Sequence, residues 1–183
     1  RGLSTLASLI LLRSRFLMSI VMPVPDVGTL QKREKIIAAM RAIVPGEGVI
    51  DDLEALRPYE SDGLTAYRQP PMLVVLPDTV EQVSAVLRWC HSEGVKVVPR
   101  GSGTSLSGGA LPLADAVLLG MGKFKKVIEV DYDERIAIVQ PGVTNLAITQ
   151  GVEGRGFYSA PGPSRRMACS IGGVVVEDSG GVL

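Results

Sequence analysis

Between residues 29 and 44, apolar residues recur at the three- and four-residue spacing of an amphipathic helix. Thr29 is of a residue type that caps helices, and Pro45-Gly46 would end this one. The predicted apolar face comprises Leu30, Ile36, Ile37, Met40 and Ile43. A short strand is predicted at Val49-Ile50, and residues 51–71 are predicted to be mostly loop.

Three side chains in this loop, Tyr59, Asp62 and Arg68, are candidates for contacts with a substrate. A loop held in place by its own hydrogen bonds accounts for the same residue types. We therefore favour a structural role for them.

A strand, a helix and a second strand follow. The apolar run Met72–Leu76 predicts a buried strand that Pro77 ends, and a helix is predicted from Thr79, with Gln82 as its capping-box partner, to Gly94. The predicted apolar face of this helix comprises Val80, Val83, Val86, Leu87 and Cys90. The strand Val95–Pro99 then delivers the chain into the next loop from its carboxyl end, where α/β proteins usually place ligands.

A hairpin and a further helix are predicted in the second half. The predicted strands are Ala116–Leu119, Lys126–Val130 and Ile136–Gln140. Asp131–Arg135 turns the chain between the last two, and Pro141-Gly142 ends the hairpin. A helix then begins at Thr144 or Asn145. Its packing residues are Leu146, Ile148 and Val152.

With 183 residues, 46% of them hydrophobic, the chain can form one domain with its own core. The 19 basic and 19 acidic residues balance, so nothing indicates nucleic-acid binding, and a small-molecule partner is expected. Cys90 and Cys169 lack metal-site spacing, which favours neutral thiols in a reducing compartment and predicts a cytoplasmic protein. The single histidine, His91, cannot by itself form a histidine metal site or a serine triad, and it suits a solvent-facing role in the last helical turn.

Residues 1–25 are interpreted as an extension or non-native leader. The apolar stretch Leu3–Leu12 is too short to span a bilayer, and basic residues follow it instead of preceding it as in a signal peptide. Translation is expected to start at Met18 or Met22. A mitochondrial transit segment is the alternative, because no acidic residue precedes Asp26. No transmembrane segment is predicted.

The most informative stretch follows Pro99: residues 100–109 are almost entirely glycine, serine and threonine. Glycine permits positive φ, so successive N–H groups can converge on an anion, and hydroxyl groups add donors. These hydroxyls belong to Ser102, Thr104, Ser105 and Ser107. The stretch predicts a loop that binds phosphate or pyrophosphate, with a flexible surface loop as the alternative.

Three better-known loops do not match this stretch. A dinucleotide-binding GxGxxG would need glycine at Leu106, and Pro112 disfavours the helix that should follow. A P-loop would need lysine and serine or threonine at Gly109 and Ala110. A GxSxG nucleophile elbow would need a second glycine at Ser107.

Residues 99–113, PRGSGTSLSGGALPL, resemble the pyrophosphate loop of FAD-linked oxidases of the vanillyl-alcohol oxidase superfamily. Within it, the chain resembles the flavin subunits of bacterial glycolate oxidases and D-lactate dehydrogenases. The resemblance spans about residues 45–183 and includes Tyr59–Arg68, Leu73–Pro77, Pro141–Asn145 and Cys169–Gly173. It implies an α+β fold: a PCMH-type FAD-binding domain of two small α/β subdomains, truncated at its C-terminal side.

The resemblance implies that the loop and later segments bind FAD. The residues so assigned are Arg100, Gly101, Ser102, Gly103, Thr104, Ser105, Leu106, Ser107, Gly108, Pro141, Gly142, Pro161, Ser164, Ser170, Gly172 and Gly173. Loop contacts are expected chiefly through backbone N–H groups, and the amides that follow Ser170 are expected to face the cofactor. Thr104 stands where some relatives attach FAD to a histidine, so non-covalent FAD is expected. No catalytic residue and no metal ligand is assigned.

Several positions depart from the family pattern. Gly162 stands where aspartate is usual, and Arg165-Arg166 occupy a more neutral stretch. Val174 and Asp178 replace asparagines. Loss of the amide at Val174 removes a polar contact near the flavin, worth about 1 kcal/mol, so weaker binding is expected.

The implied organisation is residues 1–25 as an extension, 26–70 as an N-terminal helix and loop, and 71–183 as an incomplete FAD-binding domain without its substrate domain. In relatives the substrate domain binds a metal and a 2-hydroxy acid. The implied function is the FAD-binding portion of a D-2-hydroxy-acid dehydrogenase for glycolate or D-lactate, inactive as this chain alone and poorly soluble because apolar faces stay uncovered. The implied partners are an iron–sulfur subunit and a second flavin-domain subunit. A non-catalytic flavin-binding module and a non-functional truncated product are the alternatives.

Overall fold

The aliphatic runs of the sequence form a four-stranded sheet. In the computed structural model, which describes residues 22–160 and 167–179, its strands are β1 (Val49–Ile50), β2 (Leu73–Val75), β3 (Lys96–Arg100) and β4 (Ala116–Gly120). Their spatial order is β1-β2-β4-β3, with β2, β4 and β3 parallel and β1 antiparallel to β2. Because β2 and β4 lie inside the sheet with both faces covered, every residue in them is buried.

Four helices, two of them only four or five residues long, pack around this sheet. They are α1 (Val27–Gln31), α2 (Arg33–Ile43), α3 (Leu53–Leu56) and α4 (Val80–Glu93). Helices α2 and α4 bury Ile36, Met40 and Val86 against one face. On the other face, Leu56 of α3 packs with Val74 and Leu118. Successive side chains of β2 and β4 point to opposite faces of the sheet, so these strands contribute to an apolar cluster on each face.

The predicted boundaries of α4 are confirmed, but its predicted face is only partly correct. Thr79 Oγ1 accepts from the Gln82 amide at 3.3 Å, and Gly94 closes the helix in the left-handed region. The Gln82 side chain accepts from Asp78 instead of completing the capping box with Thr79. Val80 lies in the exposed first turn, and Leu87 lies about 100° around the axis from the buried Val86, so both are exposed.

The N-terminal helix begins earlier than predicted, and Thr29 is not its cap. The Asp26 carboxylate caps α1 by accepting from the amides of Gly28 and Thr29 at 3.0 and 3.2 Å. The Thr29 hydroxyl also donates to Asp26 at 2.7 Å, and this bond is the main cause that lowers the Asp26 pKa. The predicted mostly irregular stretch 51–71 also contains α3 and a 3₁₀ turn at Arg57–Tyr59.

The second half contains the predicted hairpin and helix. Strands β5 (Val127–Asp131) and β6 (Ile136–Val139) pair antiparallel, and α5 (Asn145–Val152) starts at Thr144, whose hydroxyl accepts from the Ala147 amide at 3.2 Å. A last short helix, α6 (Ile171–Val176), follows. Large apolar side chains of the hairpin are exposed, namely Val127, Ile128, Ile136 and Ile138.

Replacing Gly151 in α5 with alanine is expected to raise the free energy of unfolding by up to about 1 kcal/mol, because alanine has the higher helix propensity. The site is exposed, and an added Cβ would have no heavy atom within 4 Å. Gly156→Ala is the matched control: its Cβ is equally unobstructed, but φ is +78°, so a loss of about 1 kcal/mol is expected. Urea denaturation of both variants measures the difference, and equal stabilities would contradict it.

Candidate functional site

The loop of residues 101–109 leaves the carboxyl end of β3 beside the parallel end of β4. The amide of Met121, just past β4, donates to the carbonyl of Arg100 at 2.8 Å and fixes the two strand ends together. A cleft of about 250 Å³ opens here between the loop, the turn at Pro141 and the segment 169–179. The cleft therefore lies at the carboxyl ends of the parallel strands, where ligands of parallel sheets usually bind.

Most of the residues predicted to bind a ligand border this cleft. They are Arg100, Gly101, Ser102, Gly103, Thr104, Ser105, Pro141, Ser170, Gly172 and Gly173. Leu106, Ser107, Gly108 and Gly142 are not among its lining residues. Pro161 and Ser164 lie outside the described residues, as do the departures at Gly162 and Arg165-Arg166.

Glycines let the three segments approach one another closely. A Cβ on Gly101 would overlap the Ser170 hydroxyl, and a Cβ on Gly172 would lie 2.7 Å from the Pro141 Cβ. Gly142 is closed in by the carbonyl oxygens of Met121 and Phe124, each 2.6 Å from the position of a Cβ. Because real Cβ atoms do not approach neighbours so closely, a side chain at any of these positions would displace the adjacent segment, and at Gly101 and Gly172 the cleft is bordered by main chain.

The loop itself depends on left-handed backbone at Gly103 and Gly108, whose φ angles are +69° and +79°. Glycine adopts this region without the steric cost of a side chain. A Cβ on Gly103 would also overlap the Arg100 guanidinium. The loop therefore folds tightly around that side chain.

Ser105 accepts hydrogen bonds inside the loop, and its predicted role as a donor to a ligand stays a prediction. It is 5% exposed, and its Oγ accepts from the amides of Ser107 and Gly109, each at 3.2 Å. Those two amides are thus committed to the loop. Ser105 shapes the loop in which the neighbouring amides are displayed.

The Arg100 guanidinium also points into the protein. It donates to the carbonyl oxygens of Tyr59 at 3.4 Å, Ser61 at 2.8 Å and Ala110 at 3.1 Å. Burial lowers its pKa, while the charges of Asp62 and Tyr59 act in the opposite direction. Its charge is therefore used to hold the loop.

The structural role favoured for the Tyr59–Arg68 segment agrees with its contacts. The buried Asp62 carboxylate accepts from the amides of Leu64 at 2.9 Å and Ala110 at 3.3 Å. Arg68 is an exposed side chain that pairs with Glu60 at 3.4 Å. These hydrogen bonds hold the segment against the glycine loop.

The start of α6 differs from the expectation that its amides face a ligand. The amides of Ile171 and Gly172 donate to the carbonyl oxygens of Val143 at 2.7 Å and Pro141 at 2.9 Å. These bonds join the segments 141–143 and 169–173. Two of the expected donors are therefore used to build the cleft wall.

The cleft also contains residues that the sequence did not single out as ligand-binding. Cys169 borders it, with its Sγ 3.4 Å from the Thr104 hydroxyl, and so does the carboxylate-bearing Glu177. In the sequence, the available signal for Cys169 and Glu177 was that they lie in the same short segment as Ser170, which was predicted to bind the ligand. Val174 borders the cleft as an apolar, buried wall residue.

Cys90 and Cys169 are expected to differ sharply in reactivity with a disulfide reagent such as DTNB at about pH 8. Cys90 is 1% exposed, and burial raises its pKa to about 11. Cys169 is half-buried at the cleft. Cys169 should react in the folded protein and Cys90 only after urea unfolding. Equal rates for both thiols in the folded protein would contradict this.

The described residues, 22–160 and 167–179, hold no cluster of three or more His, Cys, Asp or Glu side chains placed to bind a metal ion. No helix in those same ranges has the length and apolar character needed to cross a membrane.

A glycine-rich loop at the end of a parallel strand, facing walls that are partly main chain, is an arrangement in which proteins bind the phosphate groups of nucleotides. A family model described as FAD binding domain (FAD_binding_4) matches residues 71–183. The chain belongs to this family, and its cofactor is FAD. The residues present fit part of FAD, because the glycines leave a cleft of about 250 Å³ beside a loop whose backbone a pyrophosphate can approach closely.

Comparisons with individual proteins agree with this family assignment. The chain is 52% identical over 158 residues to glycolate oxidase subunit GlcD of Escherichia coli K12, covering 86% of this chain and 31% of that protein. It is 32% identical over 146 residues to the mitochondrial D-2-hydroxyglutarate dehydrogenase of Bos taurus, covering 80% of this chain and 27% of that protein. The chain thus spans about a third of the length of these relatives.

Solved structures show the same fold. p-Cresol methylhydroxylase with bound substrate superposes with a TM-score of 0.67 at 24% identity, covering 85% of this chain and 31% of that one. The 4-ethylphenol oxidase of Gulosibacter chungangensis gives 0.69 at 21% identity, with coverages of 84% and 30%. The predicted α+β, PCMH-type fold and the family resemblance are confirmed.

Proposed function

We propose that this chain is the FAD-binding part of an oxidoreductase that converts a D-2-hydroxy acid, glycolate or D-lactate, to the 2-oxo acid. The observation that carries the proposal is the 52% identity to a glycolate oxidase subunit over 158 of the 183 residues. When bound, FAD supplies the redox chemistry by accepting two electrons from the substrate. The chain's own residues bind and orient the cofactor.

Different residues of the cleft would bind different parts of FAD. The backbone of residues 101–104 would face the pyrophosphate, because the Ser107 and Gly109 amides are used inside the loop. Pro141, Ser170, Gly172 and Gly173 would line the cofactor from the opposite walls. Thr104 cannot form the histidyl bond of some relatives, which supports non-covalent FAD.

Titration of the purified chain with FAD, followed by flavin fluorescence, tests the cofactor part of the proposal. FAD should bind saturably and be released by acid, and FMN should bind at least about tenfold more weakly because it has no pyrophosphate bridge. Saturating FAD should also slow the reaction of Cys169 with DTNB, because Cys169 borders the cleft. Equal affinity for FMN and FAD would contradict a pyrophosphate site.

The activity proposed is that of the whole protein, to which this chain contributes its FAD-binding domain. Loss of visible flavin absorbance on addition of D-lactate or glycolate, but not L-lactate, to a protein of the relatives' length tests the substrate class. The inactivity of this chain alone stays a prediction, and turnover of glycolate by it would contradict that. Flavin binding without reduction by any hydroxy acid in the longer protein would favour a non-catalytic module.

We further propose association with other subunits in the cytoplasm, since the Escherichia coli relative is named as a subunit. An iron–sulfur subunit and a second flavin-domain subunit are the expected partners, and they could bring the protein to a membrane surface. Co-purification from cells that express all three chains tests this, and a separate elution of each chain would contradict it.

A further inference from the structure

We propose that Asp62 and Arg100 are positioning residues for FAD. Asp62 bonds the amide of Ala110 and Arg100 bonds its carbonyl, so that together they fix the C-terminal end of the glycine loop. We call these two side chains and the Ala110 main chain the Ala110 clamp. The proposal rests on the assignment of the adjacent cleft to FAD. It assigns to these two charged side chains a role that is exercised through the backbone of the loop.

The clamp is closed by two buried hydrogen bonds. Asp62 Oδ2 accepts from the Ala110 amide at 3.3 Å, and an Arg100 guanidinium N–H donates to the Ala110 carbonyl at 3.1 Å. The two clamp residues are 7% and 9% exposed. Water therefore competes weakly for these bonds, and a buried partner left alone is costly.

The clamp connects the two ends of the loop. Arg100 is the residue from which the loop departs, and Ala110 is the residue at which it ends, so one guanidinium sets the separation of the ends. At Gly103, the third residue of the loop, an added Cβ would overlap the same guanidinium. The Arg100 side chain thus lies close to the loop at Gly103 and bonds it at Ala110.

The clamp also connects an earlier segment of the chain to the glycine loop. Arg100 donates to Ser61, and Asp62 bonds Leu64 as well as Ala110. The segment 61–64 is therefore attached to the loop, although it does not border the cleft. Removal of either charged group should loosen the amides of residues 101–109 before it unfolds the sheet, since loops open at lower cost than cores.

Asp115 provides a matched control for general destabilisation. It is 2% exposed, and its carboxylate accepts from the Asp26 amide and the Lys96 ammonium, each at 2.7 Å. Like Asp62, it is a buried carboxylate with a backbone and a cationic neighbour. Unlike Asp62, it has no contact with the glycine loop among its hydrogen bonds.

The experiment compares Asp62→Ala and Asp115→Ala in the full chain, well below both melting temperatures. We measure the Kd for FAD by fluorescence and amide hydrogen exchange of residues 101–109 without FAD. Asp62→Ala should raise Kd at least about tenfold and speed exchange in the loop, whereas Asp115→Ala should leave Kd within about twofold. Asp62→Asn, which keeps one acceptor oxygen, should fall between the parent and Asp62→Ala.

Equal shifts of Kd in the Asp62 and Asp115 variants, or unchanged loop exchange in Asp62→Ala, would overturn the clamp. If Asp62→Ala does not fold, Asp62→Asn decides by the same two measurements. Absence of saturable FAD binding by the parent chain would instead refute the cofactor assignment, and loop exchange in the FAD-free proteins would still decide whether the clamp orders the loop.

Discussion

Replacing Arg100 with methionine is expected to lower the free energy of unfolding by about 3 kcal/mol and to abolish saturable FAD binding. Methionine fills a similar volume, so the loss comes from hydrogen bonding. The carbonyl oxygens of Tyr59, Ser61 and Ala110 would lose the donor that the structure gives them. Urea denaturation followed by circular dichroism, together with FAD titration, measures both effects.

Two arginine variants separate this effect from the loss of a positive charge. Arg68→Met removes a largely exposed side chain paired with Glu60 and should change stability by no more than about 0.5 kcal/mol. Arg100→Lys keeps the charge but has no planar fork to reach three carbonyl groups, so an intermediate loss is expected. An Arg100→Met protein within about 1 kcal/mol of the parent would contradict the role of the guanidinium.

The strands and the helix that position the site could be predicted because their signals are local. The apolar run at Met72–Leu76 and the cap at Thr79 both depend on neighbours in sequence, and both are found in the structure. The N-terminal cap could not be chosen in this way. Asp26 and Thr29 are both capping residue types, and in the structure the Asp26 carboxylate accepts from the Gly28 and Thr29 amides while the Thr29 hydroxyl donates to it.

The place of the cofactor loop could also be predicted, because small residues after a strand permit close backbone approach. Its internal hydrogen bonds could not. Arg100 finds Ser61 39 residues earlier, and no periodicity connects the two positions. From the sequence, an arginine beside a phosphate-binding loop is expected to bind phosphate. In the structure Arg100 is buried, and its guanidinium donates to carbonyl oxygens of the protein instead. Long-range partners thus decide the roles of charged residues whose positions the sequence shows.

Gly63 illustrates the same dependence on a distant partner and leads to the second large effect. Its backbone lies against the glycine loop, so that a Cβ would be 2.6 Å from the Ser105 carbonyl oxygen and 2.7 Å from that of Thr104. Neither neighbour is a flexible side chain. Relief of the overlap therefore requires movement of the loop backbone itself.

Gly63→Ala is accordingly expected to destabilise the protein by about 2 kcal/mol, the usual cost of overpacking, and to weaken FAD binding at least tenfold, about 1.4 kcal/mol. Gly122→Ala is the control, since a Cβ there has no heavy atom within 4 Å, and it should change neither quantity by more than about 0.5 kcal/mol. Calorimetric unfolding and FAD titration of both variants provide the comparison. Because the displaced atoms belong to the loop, a stability loss at Gly63 with parental FAD affinity would show that the loop backbone does not hold the cofactor.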